Sequence, residues 1–317
     1  MAPTRGSEGA WGLGLAAQRG TTDPVVVLGG GRGLACLLPA LRSTDTSLTV
    51  ITSIALQPSA EENERQRLRG PVEDLRRSLE ALSDEDGALL QAIRRPLTVD
   101  GVGQHPLGDL TLTAAADALG GYGRASMWLG EQLGIDGSVL PATVEPAQHH
   151  IEEIGLPAAG DSRTRRARRL RFPDSRTDSP EAAVSAIGNA RWVLLAPGGL
   201  YRNILSTCAV PELAAELATT PARVVWIANL EPDPDEAPGM TATDHLLLLR
   251  LHEVRVDAVL HDPSAALAFD PAELSDLGVD SMTYPLQSAS DPGTHDPGLL
   301  HAALTDLLAL GPLQPPA

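Results

Sequence analysis

The stretch of residues 24–41 constrains the fold most, because a β-branched run there meets a cluster of glycines and then a helical pattern. Residues 25–28 predict a strand buried on both faces, since a parallel strand need not alternate polar and apolar side chains. Leucines spaced three and four residues apart predict the helix that follows. Between strand and helix the chain turns sharply at Gly29, Gly30, Gly31 and Gly33.

This first glycine turn has two interpretations, and the stretch alone leaves both open. In the first, its uncovered N–H groups lie at a helix N-terminus, where they and the helix dipole favour an anion such as phosphate. In the second, it is a tight strand-to-helix turn without a ligand. The spacing does not decide between them, since it is not a clean G-x-G-x-x-G.

Charge composition excludes two classes of function. The 317-residue chain carries a formal net charge of -17, so its field repels nucleic-acid phosphates and we expect no nucleic-acid partner. All of its 24 Lys and Arg residues are arginines, which excludes a Walker-type lysine and a Schiff-base mechanism. Any anionic ligand must therefore be held by local groups.

Cysteine content and hydropathy give an expectation about location. Cys36 and Cys208 are isolated thiols without disulfide-scaffold density or metal-ligand spacing, which favours a cytoplasmic protein. No uninterrupted apolar run approaches membrane-spanning length, so we expect no membrane insertion. Residues 1–23 lack a signal-peptide core and predict a disordered tail, and residues 24–317 predict a single α/β domain.

Strand and helix patterns alternate along the rest of the chain. The helix after residues 25–28 supplies the crossover to a second buried strand, which makes a parallel βαβ start. Further strands are predicted at residues 48–56, 138–141, 192–195, 223–228 and 256–261, and we expect the last of these to end the sheet. We therefore predict an α/β, Rossmann-like fold with a mainly parallel sheet and helices on both faces.

A second glycine turn, Ala-Pro-Gly-Gly at residues 196–199, follows one of these strands directly. In an open parallel sheet, ligands gather beyond the carboxyl ends of the strands, so we predict that both glycine turns face one crevice. Asn229 ends the next predicted strand. The acidic, proline-containing residues 231–239 exclude a helix, and Thr241 with Asp244 predicts a capping box for the helix beyond.

Several histidines suggest chemistry only weakly. His105 lies in a glycine-rich loop before a helix, where a packing or capping role is favoured over ligand contact. His149 and His150, followed by Glu152 and Glu153, superficially suggest a metal cluster. Adjacent residues on a regular element point in different directions, however, so a solvated polar turn is the favoured interpretation.

One strongly basic island interrupts the acidic chain. It could hold phosphate or nucleic acid through charge-assisted hydrogen bonds. We favour an exposed strand face whose charges offset acidic neighbours, because no aromatic platform is interleaved with them. The island comprises Arg163, Arg165, Arg166, Arg168, Arg169 and Arg171.

Six motifs lie in register between residues 24 and 310: GGGRGL, EDLRRSLEAL, GQHPLGDL, GSVLPAT, APGGLYRNI and ANLEPDPDEAPGMTATDHL. In this order they resemble the YvcK-like and CofD-like superfamily, and the closing HDPGLLHAAL is similar to actinobacterial YvcK-like proteins. YvcK-like members are gluconeogenesis factors that bind UDP-sugars and influence cell shape and envelope synthesis. CofD-like members transfer a phospholactyl group in deazaflavin cofactor biosynthesis. The resemblance implies a site at the carboxyl ends of the strands.

The chain also departs from the family pattern. Arg32 replaces the threonine of the family's GGGTG loop, and the hydroxyl of its GPGS loop is absent from residues 196–199. Arg202 and Asn203 replace a Thr-Ser pair, and Asp109 replaces an asparagine. Of these departures, Arg32 and Arg202 add positive charge.

The largest departure is the loss of the family's acidic loop after the second strand, where residues 55–59 read ALQPS. In the transferase branch an aspartate pair in that loop serves metal and substrate chemistry, and two carboxylates suit a cation that bridges phosphate oxygens. Neither Leu56 nor Gln57 supplies a carboxylate. The resemblance therefore implies a retained scaffold without its metal-dependent part, and we expect no resident metal, no cofactor and no catalytic residue.

Other positions agree with the family. Asp74 and Arg76 match its Gly-Asp-Ile/Leu-Arg motif. The later block is matched at Asn229, Glu236, Gly239, Thr241, Asp244 and His245.

From the residues and the resemblance together, we predict a YvcK-like regulator of carbon metabolism or envelope synthesis that binds a UDP-sugar or another phosphorylated metabolite. Backbone N–H groups of the first turn would take phosphate, with Arg32 or Arg202 adding charge in place of the missing cation. A CofD-like phosphoester transferase with altered chemistry and a degenerate paralogue acting through protein contacts are alternatives, and the sequence leaves a homo-oligomer open. The candidate ligand-binding residues are Gly30, Gly31, Arg32, Gly33, Asp74, Arg76, His105, Asp109, Pro197, Gly198, Gly199, Tyr201, Arg202, Asn203, Asn229 and His245.

Overall fold

The computed structural model describes residues 23–42, 44, 46–55, 72–83, 87–99, 103–157, 164–172, 177–233 and 235–309. The described strands are β1 (Asp23–Leu28), β2 (Thr46–Thr52), β3 (Pro96–Val99), β4 (Gly103–Pro106), β5 (Ser138–Pro141), β6 (His150–Pro157), β7 (Thr164–Arg171), β8 (Trp192–Leu195), β9 (Arg223–Ile227), β10 (Ala258–His261) and β11 (Asp280–Thr283). The described helices are α1 (Gly31–Arg42), α2 (Glu73–Leu82), α3 (Ala88–Ile93), α4 (Leu107–Leu119), α5 (Tyr122–Leu133), α6 (Glu181–Gly188), α7 (Pro211–Thr219), α8 (Ala242–Leu251), α9 (Pro271–Asp276) and α10 (Pro297–Ala309). A π-helix at Leu200–Leu205 continues into an α-helical turn at Ser206–Cys208.

Seven of the described strands form one parallel sheet in the order β11–β10–β9–β8–β1–β2–β5. β1 lies in its interior, where Val25 pairs with Leu48 on one side and with Trp192 on the other. A strand with neighbours on both sides and helices on both faces needs the continuous apolar run that β1 has. The predicted α/β, Rossmann-like fold is confirmed.

Alternate residues of β1 point to opposite faces of the sheet, as the two-residue period of a strand requires. Val25 and Val27 pack in a core with α1, α2, α4, α5 and α10. Val26 and Leu28 pack in a second core with α6, α7, α8, α9 and the π-helix. The sheet is thus the middle of three layers, and both helical layers pack on β1.

The chain changes its direction of travel across the sheet at β1. It moves from β1 outward to β2 and β5, then returns to the other side of β1 and continues from β8 to β11. Such a switch point leaves a crevice beyond the carboxyl ends of two adjacent strands, where open α/β sheets bind their ligands. The glycine turns after Leu28 and after Leu195 both lie at this place.

An antiparallel hairpin of β6 and β7 occupies a segment where the sequence pattern is weak. Glu152 pairs with Arg169 and Glu153 with Arg168, so opposite charges face each other across the strands. This pairing agrees with the interpretation of the basic island as a strand face offset by acids. Arg163, the first residue of the island, lies outside the described residues.

The prediction of a solvated polar turn around His149 is wrong. His149 is 2% exposed, and its ring lies edge-on to Phe172 with 6.0 Å between the centroids. Burial lowers the pKa of His149, and the charge of His150 lowers that pKa further. The imidazole is therefore part of the packing, and the residues after it continue as β6.

Three predicted element positions also need correction. β10 does not end the sheet, because β11 pairs with it in parallel; the polar, largely exposed sequence of β11 lacks the apolar run that predicts a buried strand. His105 lies in β4 and not in a loop, opposite Leu97 of β3. The second strand ends at Thr52, short of the predicted residue 56, which lies outside the described residues.

The predicted capping box of α8 is confirmed. Thr241 N–H donates to Asp244 Oδ2 at 2.9 Å, and Asp244 N–H donates to Thr241 Oγ1 at 3.2 Å. Within the described ranges, no helix has both the length and the apolar character needed to cross a bilayer. Residues 1–22 of the predicted tail lie outside those ranges, and the single-domain organisation of residues 24–317 stays a prediction.

Asp262 closes the carboxyl end of β10 by accepting hydrogen bonds from two separate loops. Its Oδ2 accepts from Leu286 N at 2.6 Å and from Gln287 N at 3.1 Å. Its Oδ1 accepts from Ser264 N at 2.8 Å and from Ser264 Oγ at 2.5 Å. Burial alone would raise the pKa of Asp262, but these donors outweigh burial and lower the pKa to about 2.

We expect this carboxylate to contribute to stability above the ordinary carboxyl pKa of about 3.9, and to lose that contribution as the pH falls from about 4 to about 2. Asp262→Asn should lower the free energy of unfolding at neutral pH by about 1–2 kcal/mol, allowing for solvent screening. It should also flatten the acid limb of a plot of unfolding free energy against pH, measured by urea titration. Asp276→Asn, at an exposed position in α9, is the charge-matched control, and an equal effect of both variants would contradict the assignment.

Candidate functional site

The two glycine turns approach each other through their backbones. A Cβ atom on Gly33 would lie 2.1 Å from the carbonyl oxygen of Pro197, and one on Gly198 would lie 3.3 Å from the carbonyl oxygen of Gly30. A real Cβ atom cannot come as near to a backbone atom as the first of these distances, so the approach requires glycine. The turns therefore lie side by side beyond the ends of β1 and β8.

Asp74, in the first turn of α2, connects the two turns. Its Oδ1 accepts a hydrogen bond from Gly31 N at 2.9 Å, and its Oδ2 accepts one from Asn203 Nδ2 at 3.4 Å. A Cβ atom on Gly30 would lie 2.2 Å from Asp74 Oδ2, so this carboxylate also depends on a missing side chain. Burial raises the pKa of Asp74, and the Gly31 N–H opposes that rise.

Two asparagine side chains fix the second turn. Asn229, two residues after the end of β9, accepts from Gly198 N through Oδ1 at 2.7 Å and donates through Nδ2 to Gly198 O at 2.9 Å. Asn203 accepts from Gly199 N through Oδ1 at 3.1 Å. Because a carboxamide both donates and accepts, Asn229 satisfies both backbone groups of Gly198, and Asn203 joins the Gly199 backbone to the Asp74 side chain.

The π-helix after the second turn is held by Glu236, which comes from the acidic loop between β9 and α8. Glu236 Oε2 accepts from Tyr201 N at 2.8 Å and from Arg202 N at 3.2 Å. Arg202 Nε donates to Glu236 Oε1. The hydrogen bond to Glu236 raises the pKa of Arg202 against the effect of burial. The Arg202 guanidinium is therefore already paired with an acid.

Arg168 of β7 connects the charged hairpin to this acid. Its Nη2 donates to the carbonyl oxygen of Glu236, and its guanidinium carbon lies 4.7 Å from the centroid of the Tyr201 ring. Tyr201 Oη donates to the carbonyl oxygen of Arg168 at 2.8 Å. The hairpin, the acidic loop and the π-helix are thus joined through three residues.

Three predicted site residues form a separate buried network. Arg76 of α2 donates through Nε to Asp109 Oδ1 at 2.6 Å and through Nη1 to Glu80 Oε1 at 2.7 Å. Burial raises the pKa of Asp109, and the charges of Arg76 and His105 oppose the rise. His105 has no exposed surface, as the packing interpretation predicts. This network anchors α2 to α4, and α2 is also the helix that carries Asp74.

His245 lies in the first turn of α8. Its Nδ1 is 2.7 Å from the carbonyl oxygen of Thr241, which can only accept, and the ring stacks on Trp226 with 5.9 Å between the centroids. Burial lowers the pKa of His245. The contacts assign this histidine to packing at the start of the helix.

The structure brings most of the predicted site residues together, but not all of them. Those in direct contact at the switch point are Gly30, Gly31, Gly33, Asp74, Pro197, Gly198, Gly199, Asn203 and Asn229. Tyr201 and Arg202 join them through the π-helix, whereas Arg76, His105 and Asp109 form the separate network and His245 packs on Trp226. Arg32 is exposed in the first turn of α1, and the described part of the chain offers it no hydrogen bond or ion pair.

Two residues of the site were not predicted. Glu236 matches the family's later block, and that match is the signal that could have assigned it. Arg168 appeared only as one member of the basic island, and nothing in the local sequence distinguishes it from its neighbours. Leu56, Gln57, Pro58 and Ser59, which replace the family's acidic loop, lie outside the described residues. Among those that are described, no group of three or more His, Cys, Asp or Glu side chains could hold a metal ion.

Comparisons with known proteins agree with this architecture. The family model for 2-phospho-L-lactate transferase CofD matches residues 25–273. A Mycobacterium tuberculosis relative is 31% identical over 322 residues, covering 93% of this chain and 94% of its own. The Bacillus subtilis gluconeogenesis factor is 29% identical over 240 residues, covering 74% and 76%. A Nostoc relative is 30% identical over 233 residues, which is 70% of this chain but only half of its own length.

The fold also matches a solved structure. A UPF0052 family protein from Bacillus halodurans superposes with a TM-score of 0.77 at 24% sequence identity, over 90% of this chain and 99% of that one. A match of this extent shows that the two proteins share a Rossmann-like α/β fold. The chain belongs to the CofD superfamily as a YvcK-like member.

Gly33→Ala tests the close approach of the two turns. We expect it to lower the free energy of unfolding by about 1–3 kcal/mol, because the added methyl group would overlap the Pro197 carbonyl and force the backbones apart. Gly123→Ala is the matched control, since a Cβ atom there would lie 3.9 Å from its nearest neighbour and helix propensity favours alanine. Chemical denaturation measures both, and a Gly33→Ala protein as stable as the control would contradict the packing described.

Proposed function

We propose that this chain binds a phosphorylated small molecule, and specifically a nucleotide-sugar such as a UDP-sugar, at the crevice between β1 and β8. The observation that carries the proposal is the contact of two glycine turns at the topological switch point. We further propose that binding serves regulation of carbon metabolism or envelope synthesis. The names of the curated relatives, which are gluconeogenesis factors, support the role in carbon metabolism.

The chemistry of the crevice suits a ligand that carries both phosphate and hydroxyl groups. The N–H groups of Arg32 and Gly33 belong to the first turn of α1, where no intrahelical partner exists, and they favour an anion. The exposed Arg32 guanidinium adds a positive charge beside them. The carboxylate of Asp74 and the carboxamide of Asn203 are acceptors for ligand hydroxyl groups.

Binding is favoured over phosphoester transfer because of the residues that replace the family's acidic loop. Residues 55–59 contain no carboxylate that could bridge a cation and a phosphate. The transferase remains the second candidate, since the matching family model describes a 2-phospho-L-lactate transferase. Metal-dependent turnover of a diphosphate substrate would identify the protein as a transferase.

Titration calorimetry with UDP-glucose and UDP-N-acetylglucosamine, each with and without magnesium, tests the proposal. We expect heat of binding without the metal. The absence of any heat of binding across a panel of nucleotide-sugars would contradict the proposed ligand class and favour the degenerate paralogue. Turnover that needs magnesium would favour the transferase.

Arg32→Thr restores the residue that the family has at this position and removes the exposed positive charge. We expect it to weaken binding of a UDP-sugar about tenfold, the lower end of the effect of one charge-assisted hydrogen bond, since the group is exposed. Arg250→Thr removes an exposed arginine in the last turn of α8, where its guanidinium donates to the carbonyl oxygen of Leu277, and should leave the affinity unchanged. Equal affinities of the two variants would exclude Arg32 from the site.

A further inference from the structure

Arg202 forms an ion pair with Glu236 of the same chain, and this pair affects how the proposed site can bind an anion. The side chain of Arg202 is 54% exposed, whereas that of its partner Glu236 is only 9% exposed. An anion can therefore approach the guanidinium from solvent. It would find the inner side of the guanidinium occupied by a carboxylate.

Glu236 is held in this position from several directions. Its carboxylate accepts hydrogen bonds from Tyr201 N, Arg202 N and Arg202 Nε, and Arg168 donates to its carbonyl oxygen. A Cβ atom on Gly199 would lie 2.5 Å from Glu236 Oε1, so the second glycine turn makes room for the acid. These contacts distinguish Glu236 from the exposed acids of the same loop, such as Asp235.

We propose that Glu236 is an autoinhibitory competitor of the anionic ligand, which must displace the Glu236 carboxylate before it can pair with Arg202. The inference rests on the proposed function, because it concerns the same site. A phosphate oxygen and a carboxylate oxygen use the same charge-assisted donors, so the two compete for them. A competitor on the same chain has a high effective concentration, which lowers the apparent affinity for the anion.

The arrangement also discriminates between ligands. An anion that contacts only the first turn leaves Glu236 in place. A diphosphate carries a second anionic group that can reach the second glycine turn. Only such a ligand can pair with the Arg202 guanidinium once the Glu236 carboxylate has been displaced. We therefore expect diphosphate ligands to release the loop between β9 and α8 from the π-helix, and monophosphates to leave it in place.

Glu236→Gln tests the inference, with inorganic pyrophosphate as the probe in calorimetry at fixed ionic strength. The substitution keeps the shape of the side chain but removes its charge, so we expect pyrophosphate to bind about tenfold more tightly than to the unmodified protein. Asp235→Asn removes the same charge from the same loop and should change the affinity less than about twofold. Adding Arg202→Gln to Glu236→Gln should abolish the gain.

Hydrogen exchange supplies a second readout, whose first comparison, between the unmodified protein and Glu236→Gln, is made without a ligand. The amides of Tyr201 and Arg202 should exchange faster in Glu236→Gln, and pyrophosphate should slow them again. Glu236→Asp, which keeps the charge on a shorter side chain, should lie between the two proteins and serves if Glu236→Gln is unstable. A pyrophosphate affinity of Glu236→Gln or Glu236→Asp that is equal to or lower than that of the unmodified protein would overturn the inference. UDP-glucose binding to the unmodified protein decides the proposed function separately.

Discussion

The approach of two backbones, at Gly33 and Pro197, is the constraint on which the rest of the site depends. Because no side chain fits between them, α1 begins directly against the loop that follows β8. The first N–H groups of a 12-residue helix are thereby brought to the switch point of the sheet. The crevice is consequently lined by main-chain groups, and side chains from other elements hold them in position.

Those side chains have a structural role that is independent of any ligand. Asp74 ties the start of α1 to Asn203, Asn229 fixes both polar groups of Gly198, and Glu236 accepts the free N–H groups of the π-helix. Unsatisfied buried backbone groups would destabilise the fold, so these residues are needed even in an empty site. The agreement of Asp74, Asn229 and Glu236 with the family pattern therefore has a physical cause besides binding.

The fold and both glycine turns were predictable because their signals are local. A β-branched run, glycines at a strand's end and a Thr-x-x-Asp cap each report the structure of a few neighbouring residues. β11 and the hairpin of β6 and β7 gave no such signal, since polar and charged strands are stabilised by the strand opposite. The contacts within the site could not be predicted either, because they join residues far apart in the sequence: Gly31 and Asp74 are 43 residues apart, and Arg168 and Glu236 are 68 apart.

The π-helix limits how the length of this segment can change. The N–H groups of Asn203 and Ile204 both donate to the carbonyl oxygen of Gly199, at 3.0 and 3.2 Å, so the turn accommodates one residue more than an α-helix does. Deleting a residue before Asn203 would rotate its side chain by about 100° around the helix axis and carry it away from Asp74. The segment therefore tolerates substitution more readily than insertion or deletion.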